Sequence, residues 1–151
     1  MFGSYPLIIT FRCDLASLKS VRECAEQLSN SLEKIDILIN NAGVMTCPLT
    51  RTEDGFEMQI GTNHLGHFLL TNLVMPLVKK AAPGARIVNV SSLAHESGVM
   101  QWDDLNWNTT PYSPIKVTHC NPHMWYQGKV HGIEANKGIG DAGSTADFRM
   151  L

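Results

Sequence analysis

Cysteine is scarce and scattered in this chain: Cys13, Cys24, Cys47 and Cys120 include no C-x-x-C pair. Such spacing suggests neither a zinc site nor a disulfide framework. No secretory leader is recognisable, so the four are expected to be reduced thiols of an intracellular, cytoplasmic protein. Long hydrophobic runs are missing too. The early apolar run Leu7-Ile8-Ile9-Thr10-Phe11 falls far below the roughly 18 residues of a membrane span, and no span is expected. Nor is there an excess of one charge. With 12 basic and 14 acidic side chains, the net charge of -2 gives no electrostatic hold on nucleic acid or anionic lipid. Internal repeats and low-complexity tracts are absent. Asn89-Val90-Ser91 and Asn108-Thr109-Thr110 match the glycosylation sequon, a chance match in a chain with no secretory route.

What is present is an ordinary globular composition, 44% hydrophobic over 151 residues, enough for one domain with a core. Pro6 to Arg12 is short, β-branched and apolar, and reads as a strand that stops at Cys13-Asp14-Leu15. From Ser17 a helical stripe follows, formed by Leu18, Val21, Cys24, Ala25 and Leu28, with Lys19, Glu23 and Glu26 off it. Ile35 to Ile39 is an unalternated apolar strand of the kind buried on both faces in parallel sheets. Pro48 to Gly55 reads as a loop, and Phe56 to Lys80 as a long apolar helix that Pro76 is placed to kink. Pro83-Gly84 turns the chain into a third strand, Arg86 to Val90. Strands alternating with helices imply an α/β fold with a parallel sheet. The expected organisation is residues 1–116 as an incomplete doubly wound unit of three strands with flanking helices. Residues 117–151 have no sustained period and are expected to be an irregular tail.

The stretch that organises the rest is Ile35-Asp36-Ile37-Leu38-Ile39-Asn40-Asn41-Ala42-Gly43, a strand running into a polar, Gly-ended turn. In open α/β sheets, ligands bind at such carboxyl ends. Asn40-Asn41-Ala42-Gly43 resembles the NNAG motif of the short-chain dehydrogenases/reductases. The resemblance extends from about Cys13 to Lys116 and is specific, because several motifs stand in the family's order. The family's fold is Rossmann-like, and its members exchange hydride between NADP or NAD and a small-molecule carbonyl/alcohol pair.

On that resemblance, Asp14 and Leu15 correspond to the adenine contact, although an Asp after a strand is equally an ordinary turn former. Asn41, Ala42 and Gly43 would lie along the cofactor. Asn63, in Thr62-Asn63-His64-Leu65-Gly66-His67, corresponds to the amide that orders a water of the proton relay, a task suited to a group with both donors and an acceptor. His64 and His67 at i, i+3 have metal-ligand spacing, but no third ligand is evident and none is expected to bind. Ser92, after the strand Val88-Asn89-Val90-Ser91, corresponds to the catalytic hydroxyl that donates to the substrate oxygen. With Trp102-Asp103-Asp104-Leu105-Asn106, this region is similar to the retinol-dehydrogenase-like branch. That branch prefers NADP and acts on retinoids and other lipid carbonyls, and its members are often membrane-associated through an N-terminal segment.

Two family features depart from the pattern. The sequence opens near the family's third strand, and the glycine-rich phosphate loop is not found before it. Asn136-Lys137-Gly138-Ile139-Gly140 spells part of that loop without a preceding strand and is expected to be coincidence. The Tyr-x-x-x-Lys pair is matched by letter at Tyr112 and Lys116, the phenol as acid/base and the ammonium lowering its pKa. In the retinol-dehydrogenase-like branch a similar Tyr-Ser-Pro precedes the catalytic Tyr by about six residues, which would align Thr118 and Pro122 with the pair. From Val117 the resemblance ends, as out-of-frame or alternatively spliced text would. The expectation is therefore an oxidoreductase by family and an inactive fragment, or a partner of a full-length subunit, as a chain. The Phe56 to Lys80 helix resembles the one through which family members form homo- or heterodimers.

Overall fold

The computed structural model describes residues 8–90 and 100–119. Helix α1, Leu18–Ser31, begins where the sequence places it. Ser17 is its N-cap, extended in backbone and accepting from the Ser20 amide at 3.4 Å. Its hydroxyl also donates to Glu53 Oε2 at 2.6 Å, and the Leu18 amide donates to Asp54 Oδ2 at 2.8 Å. The loop after β1 thus supplies carboxylates to the positive end of α1. Val21, Cys24 and Ala25 form the buried face, in line with the stripe read from the sequence.

Strand β1, Ile37–Asn40, pairs in parallel with β2, Arg86–Asn89, in the register Ile37↔Arg86, Leu38↔Ile87, Ile39↔Val88 and Asn40↔Asn89. Two strands form among the described residues where three were expected. Residues 8–14 form none, and Ile8 is 83% exposed. The cause is pairing: an apolar run becomes a strand only where a neighbour takes its amides and carbonyls, and the described residues offer this one no neighbour.

Among the described residues, the sheet is also covered on only one side. Leu38 and Ile87 pack against a core of Ala25, Val74, Val78 and Ala85, together with Leu28, Ile35, Leu70 and Leu73. Ile37 and Ile39, on the opposite face, are 57% and 54% exposed. The expectation of burial on both faces is corrected accordingly: side chains alternate across a strand, and among the described residues only the face toward α1 and the long helix has a layer above it.

That long helix is three segments. α2, Met58–Ile60, leads into a π-helical turn, Gly61–Gly66, and then α3, His67–Lys80. α3 continues through Pro76 to Lys80, so the irregularity lies at the π turn, two to three turns before the proline. Beyond β2 come a 3₁₀ turn, Trp102–Asp104, and α4, Pro114–His119. Pro114 occupies the first position of α4, where its missing amide would have had no intrahelical partner. The helix at residues 114–119 corrects, for residues 117–119, the expectation of an irregular tail from Val117; residues 120–151 lie outside the described residues. No helix of the described residues is long and apolar enough to cross a membrane.

Candidate active site

Residues 61–67 are the hinge of the site, since they touch both loops in which cofactor contacts were expected. Asn63 Nδ2 donates to the Val44 carbonyl and Asn63 Oδ1 accepts from the Val44 amide, both at 2.8 Å. One amide satisfies both polar groups of one backbone residue, which fixes the loop leaving β1 to the π turn. Gly43 sits directly against this clamp: a Cβ there would lie 3.2 Å from Asn63 Oδ1. Three residues on, Gly66 meets the other loop, where a Cβ would stand 2.5 Å from the Leu15 carbonyl oxygen. Asn63 and Gly66 therefore join Asn41–Val44 and Asp14–Leu15 across one helical turn.

The His67 amide reaches back to the His64 carbonyl, while His67 Nδ1 lies 2.9 Å from the Asn63 carbonyl oxygen. Since a carbonyl only accepts, this nitrogen carries the proton in the neutral ring. Burial lowers the pKa of both histidines; His67 also lowers that of His64 by charge, and the bond to Asn63 partly offsets the effect for His67. Among the described residues, no group of three or more His, Cys, Asp and Glu is placed to hold a metal.

Asp14 is an exposed turn residue. Its Oδ1 accepts from the Ala16 amide at 2.9 Å, its own amide donates to Ser20 Oγ at 2.9 Å, and its carbonyl accepts from the Ser17 amide at 3.1 Å. Asn41, Ala42 and Gly43 are exposed at the carboxyl end of β1. Just before them, Asn40 is 2% exposed and donates from Nδ2 to Asn89 Oδ1 at 2.8 Å and Thr71 Oγ1 at 3.0 Å. These bonds tie the ends of both strands to α3. An exposed backbone after β1, with glycine where a side chain would crowd Asn63, fits the close approach of a dinucleotide. The residues that would hold it are Asp14, Leu15, Asn41, Ala42 and Gly43.

Tyr112 and Lys116 share no hydrogen bond with Asn63 or with Asn41–Val44 among the described residues. The Tyr112 hydroxyl is 2.9 Å from the Cys47 carbonyl oxygen and 3.3 Å from Glu57 Oε1, and its ring packs edge-on against Trp107 with centroids 5.9 Å apart. Burial, followed by the Glu57 carboxylate, raises the phenol's pKa above its usual 10, partly offset by a hydrogen bond from Gln59. A Tyr–Lys acid/base pair requires the reverse shift. Tyr112 precedes α4, whereas Lys116 lies within it, its amide 3.5 Å from Ser113 Oγ. No hydrogen bond joins the two among the described residues. Ser92 and Asn136–Gly140 lie outside the described residues, as do Pro122 and the side chain of Thr118.

Glu57 is the residue the sequence gave least reason to notice. It is fully buried, yet its carboxylate caps α2 through the amides of Gln59 at 3.0 Å and Ile60 at 2.9 Å, and its own amide donates to Asn106 Oδ1 at 2.9 Å. Arg51 extends the seam, donating to the Asn106 carbonyl and to Asn108 Oδ1. In Arg51-Thr52-Glu53-Asp54-Gly55-Phe56-Glu57 the signal was a carboxylate directly ahead of an apolar helix, which is a capping position. The sequence reads Pro48 to Gly55 as a loop and starts the helix at Phe56, which leaves Glu57 inside the helix, whereas the structure makes it the cap.

Comparison with known proteins agrees with the motifs. The family model for short chain dehydrogenase matches residues 5–104. Human "Retinol dehydrogenase 13" is 60% identical over 111 residues, covering 74% of this chain and 33% of that protein. Mouse "Retinol dehydrogenase 14" is 54% identical over 104 residues, covering 69% of this chain and 31% of its own length. The chain thus spans about a third of these relatives. Among solved structures, a putative uncharacterized protein from Mycobacterium Paratuberculosis superposes with a TM-score of 0.60 at 46% identity, over 71% of this chain and 37% of that one. The Pseudomonas aeruginosa RhlG/NADP active-site complex has the same fold, with a TM-score of 0.53 at 24% identity over 75% of this chain and 41% of that one. The order of the motifs, the parallel β1–β2 pair and the family match over residues 5–104 together make this chain a member of the short-chain dehydrogenase family.

Proposed function

We propose that the chain carries the central part of an NAD(P)-dependent oxidoreductase acting on a carbonyl/alcohol pair, with retinoids or similar lipids as the substrate class. The nicotinamide, when bound, supplies or accepts the hydride. Asp14, Leu15, Asn41, Ala42 and Gly43 hold the nucleotide, Asn63 orders a relay water, and Ser92 donates to the substrate oxygen. Identity to retinol dehydrogenases supports the substrate class, and the exposed Gly43 backbone supports nucleotide approach.

We further propose that the 151-residue polypeptide alone does not turn over. The observation that carries this reading is the Tyr112 hydroxyl, held between the Cys47 carbonyl and Glu57 with its pKa raised. A phenol so held is a poor acid/base at neutral pH, and among the described residues no ammonium offsets the shift. The test is a fluorescence titration with NADPH and NADH, followed by nucleotide oxidation with retinal present. The expected result is weak binding and no oxidation above the protein-free rate; turnover that Tyr112→Phe abolishes would overturn it. A second reading is docking of the Met58–Lys80 helical run on a full-length subunit of the family, favoured by Phe68, 63% exposed on α3. Co-purification with such a subunit is its expected outcome, and a monodisperse monomer that ignores the subunit would refute it.

A further inference from the structure

Two cysteines stand at α1, Cys24 within the helix and Cys13 just before it. Cys24 is 4% exposed on the inner face of α1, beside Val21, and Cys13 is half-buried in the segment just before the helix. Three bonds fold that segment back over the helix. The Asp14 amide donates to Ser20 Oγ at 2.9 Å, and the Ser17 and Ala16 amides return to the Asp14 carbonyl and carboxylate at 3.1 and 2.9 Å. Ser20 and Cys24 stand one turn apart on the same helix face, where residues four apart are neighbours at roughly 5–6 Å. Anchoring Asp14 at Ser20 therefore brings the adjacent Cys13 toward Cys24.

We propose that Cys13 and Cys24 are a dithiol–disulfide pair, a modification site that a low-molecular-weight disulfide such as oxidised glutathione converts to an internal bridge. The Cys13 thiolate attacks one glutathione sulfur, and glutathione thiolate leaves with the electron pair of the broken bond. The Cys24 thiol then gives its proton to solvent, and its sulfur displaces the second glutathione from Cys13. Two protein thiols are oxidised and one glutathione disulfide is reduced to two thiols. Burial, then the charge of Cys24 and a hydrogen-bonding contact with it, push the Cys13 pKa up to about 12, which agrees with adjacent sulfurs. The same shift keeps the pair as thiols near neutrality and makes closure slow, faster in mildly alkaline buffer. The proposal stands independently of the enzymatic reading.

The experiment treats the full chain with oxidised glutathione, caps the remaining thiols with N-ethylmaleimide in acid, and maps the cysteines by intact-mass and peptide analysis. The expected product is about 2 Da lighter before capping. It loses two maleimide additions relative to the untreated chain, with Cys13 and Cys24 in one linked peptide and Cys47 and Cys120 capped. Cys24→Ala should stop the reaction at a glutathione adduct on Cys13. If that core variant does not fold, Cys13→Ser, at a more exposed position, should leave Cys24 capped only after denaturation. Capping of both Cys13 and Cys24 after treatment, a persistent mixed disulfide in the unsubstituted chain, or preferential bridging to Cys47 or Cys120 would each overturn the proposal.

Discussion

Gly66 allows the π turn to sit against the Leu15 backbone, and two opposing magnitudes decide what a methyl group would do there. Glycine to alanine inside a helix gains about 1 kcal/mol of propensity. A Cβ 2.5 Å from a backbone carbonyl oxygen cannot be relieved by a side chain moving aside, and overpacking of this kind costs roughly 1–3 kcal/mol. Because the Cβ would meet backbone, the clash outweighs the gain: Gly66→Ala is expected to lower stability by up to about 2 kcal/mol in urea titration, whereas Gly84→Ala, with nothing near its Cβ, should fall within about 0.5 kcal/mol of the parent. The cost at Glu57 follows similar logic. An amide in place of its buried carboxylate weakens two bonds from backbone amides, and Glu57→Gln should lose about 1–3 kcal/mol in the same titration. The Gly66 role could not be read from the sequence, because a contact between residues 15 and 66 is set by packing and leaves no local spacing to recognise.

At the scale of elements, α1, β1 and β2 were legible because their signals are local: a serine cap with a 3.6-residue stripe, and short β-branched runs between turns. The π turn was not, since an insertion of one residue into a helical pattern blurs the period without changing its composition. Its histidines give the helix a pH response. Both pKa values are lowered from 6.5 by burial, so the unfolded chain binds more protons than the folded one once pH falls below that value. Stability is full above pH 6.5 and declines as pH drops through the unfolded pKa toward the lowered folded ones. Melting temperature measured between about pH 5 and 7 should fall with acid, and His67→Gln should flatten the slope. Asn63→Ala should speed hydrogen exchange at the Val44 amide more than at amides of α1, because that amide loses the side-chain oxygen it donates to.

For the molecule as a whole, the order of motifs in the sequence identified the family, while the number of strands depended on neighbours that local signals do not encode. Pro6 to Arg12 carries a good strand pattern, yet residues 8–14 form no strand, and Ile37 and Ile39 show more than half their surface. An apolar sheet face beside an open edge favours self-association. Ile39→Lys, on the bare face, should reduce light scattering at elevated concentration with little change in far-ultraviolet circular dichroism; undiminished scattering would place the contact elsewhere.

The bare face of β1 has a cellular consequence as well. Chaperones and proteases recognise uncovered aliphatic surface, so the lifetime of this polypeptide in a cell would be governed by quality control, unless a companion shields Ile37 and Ile39. Abundance would then follow the supply of that companion, and a pulse-chase with and without it would register the difference as a change in half-life.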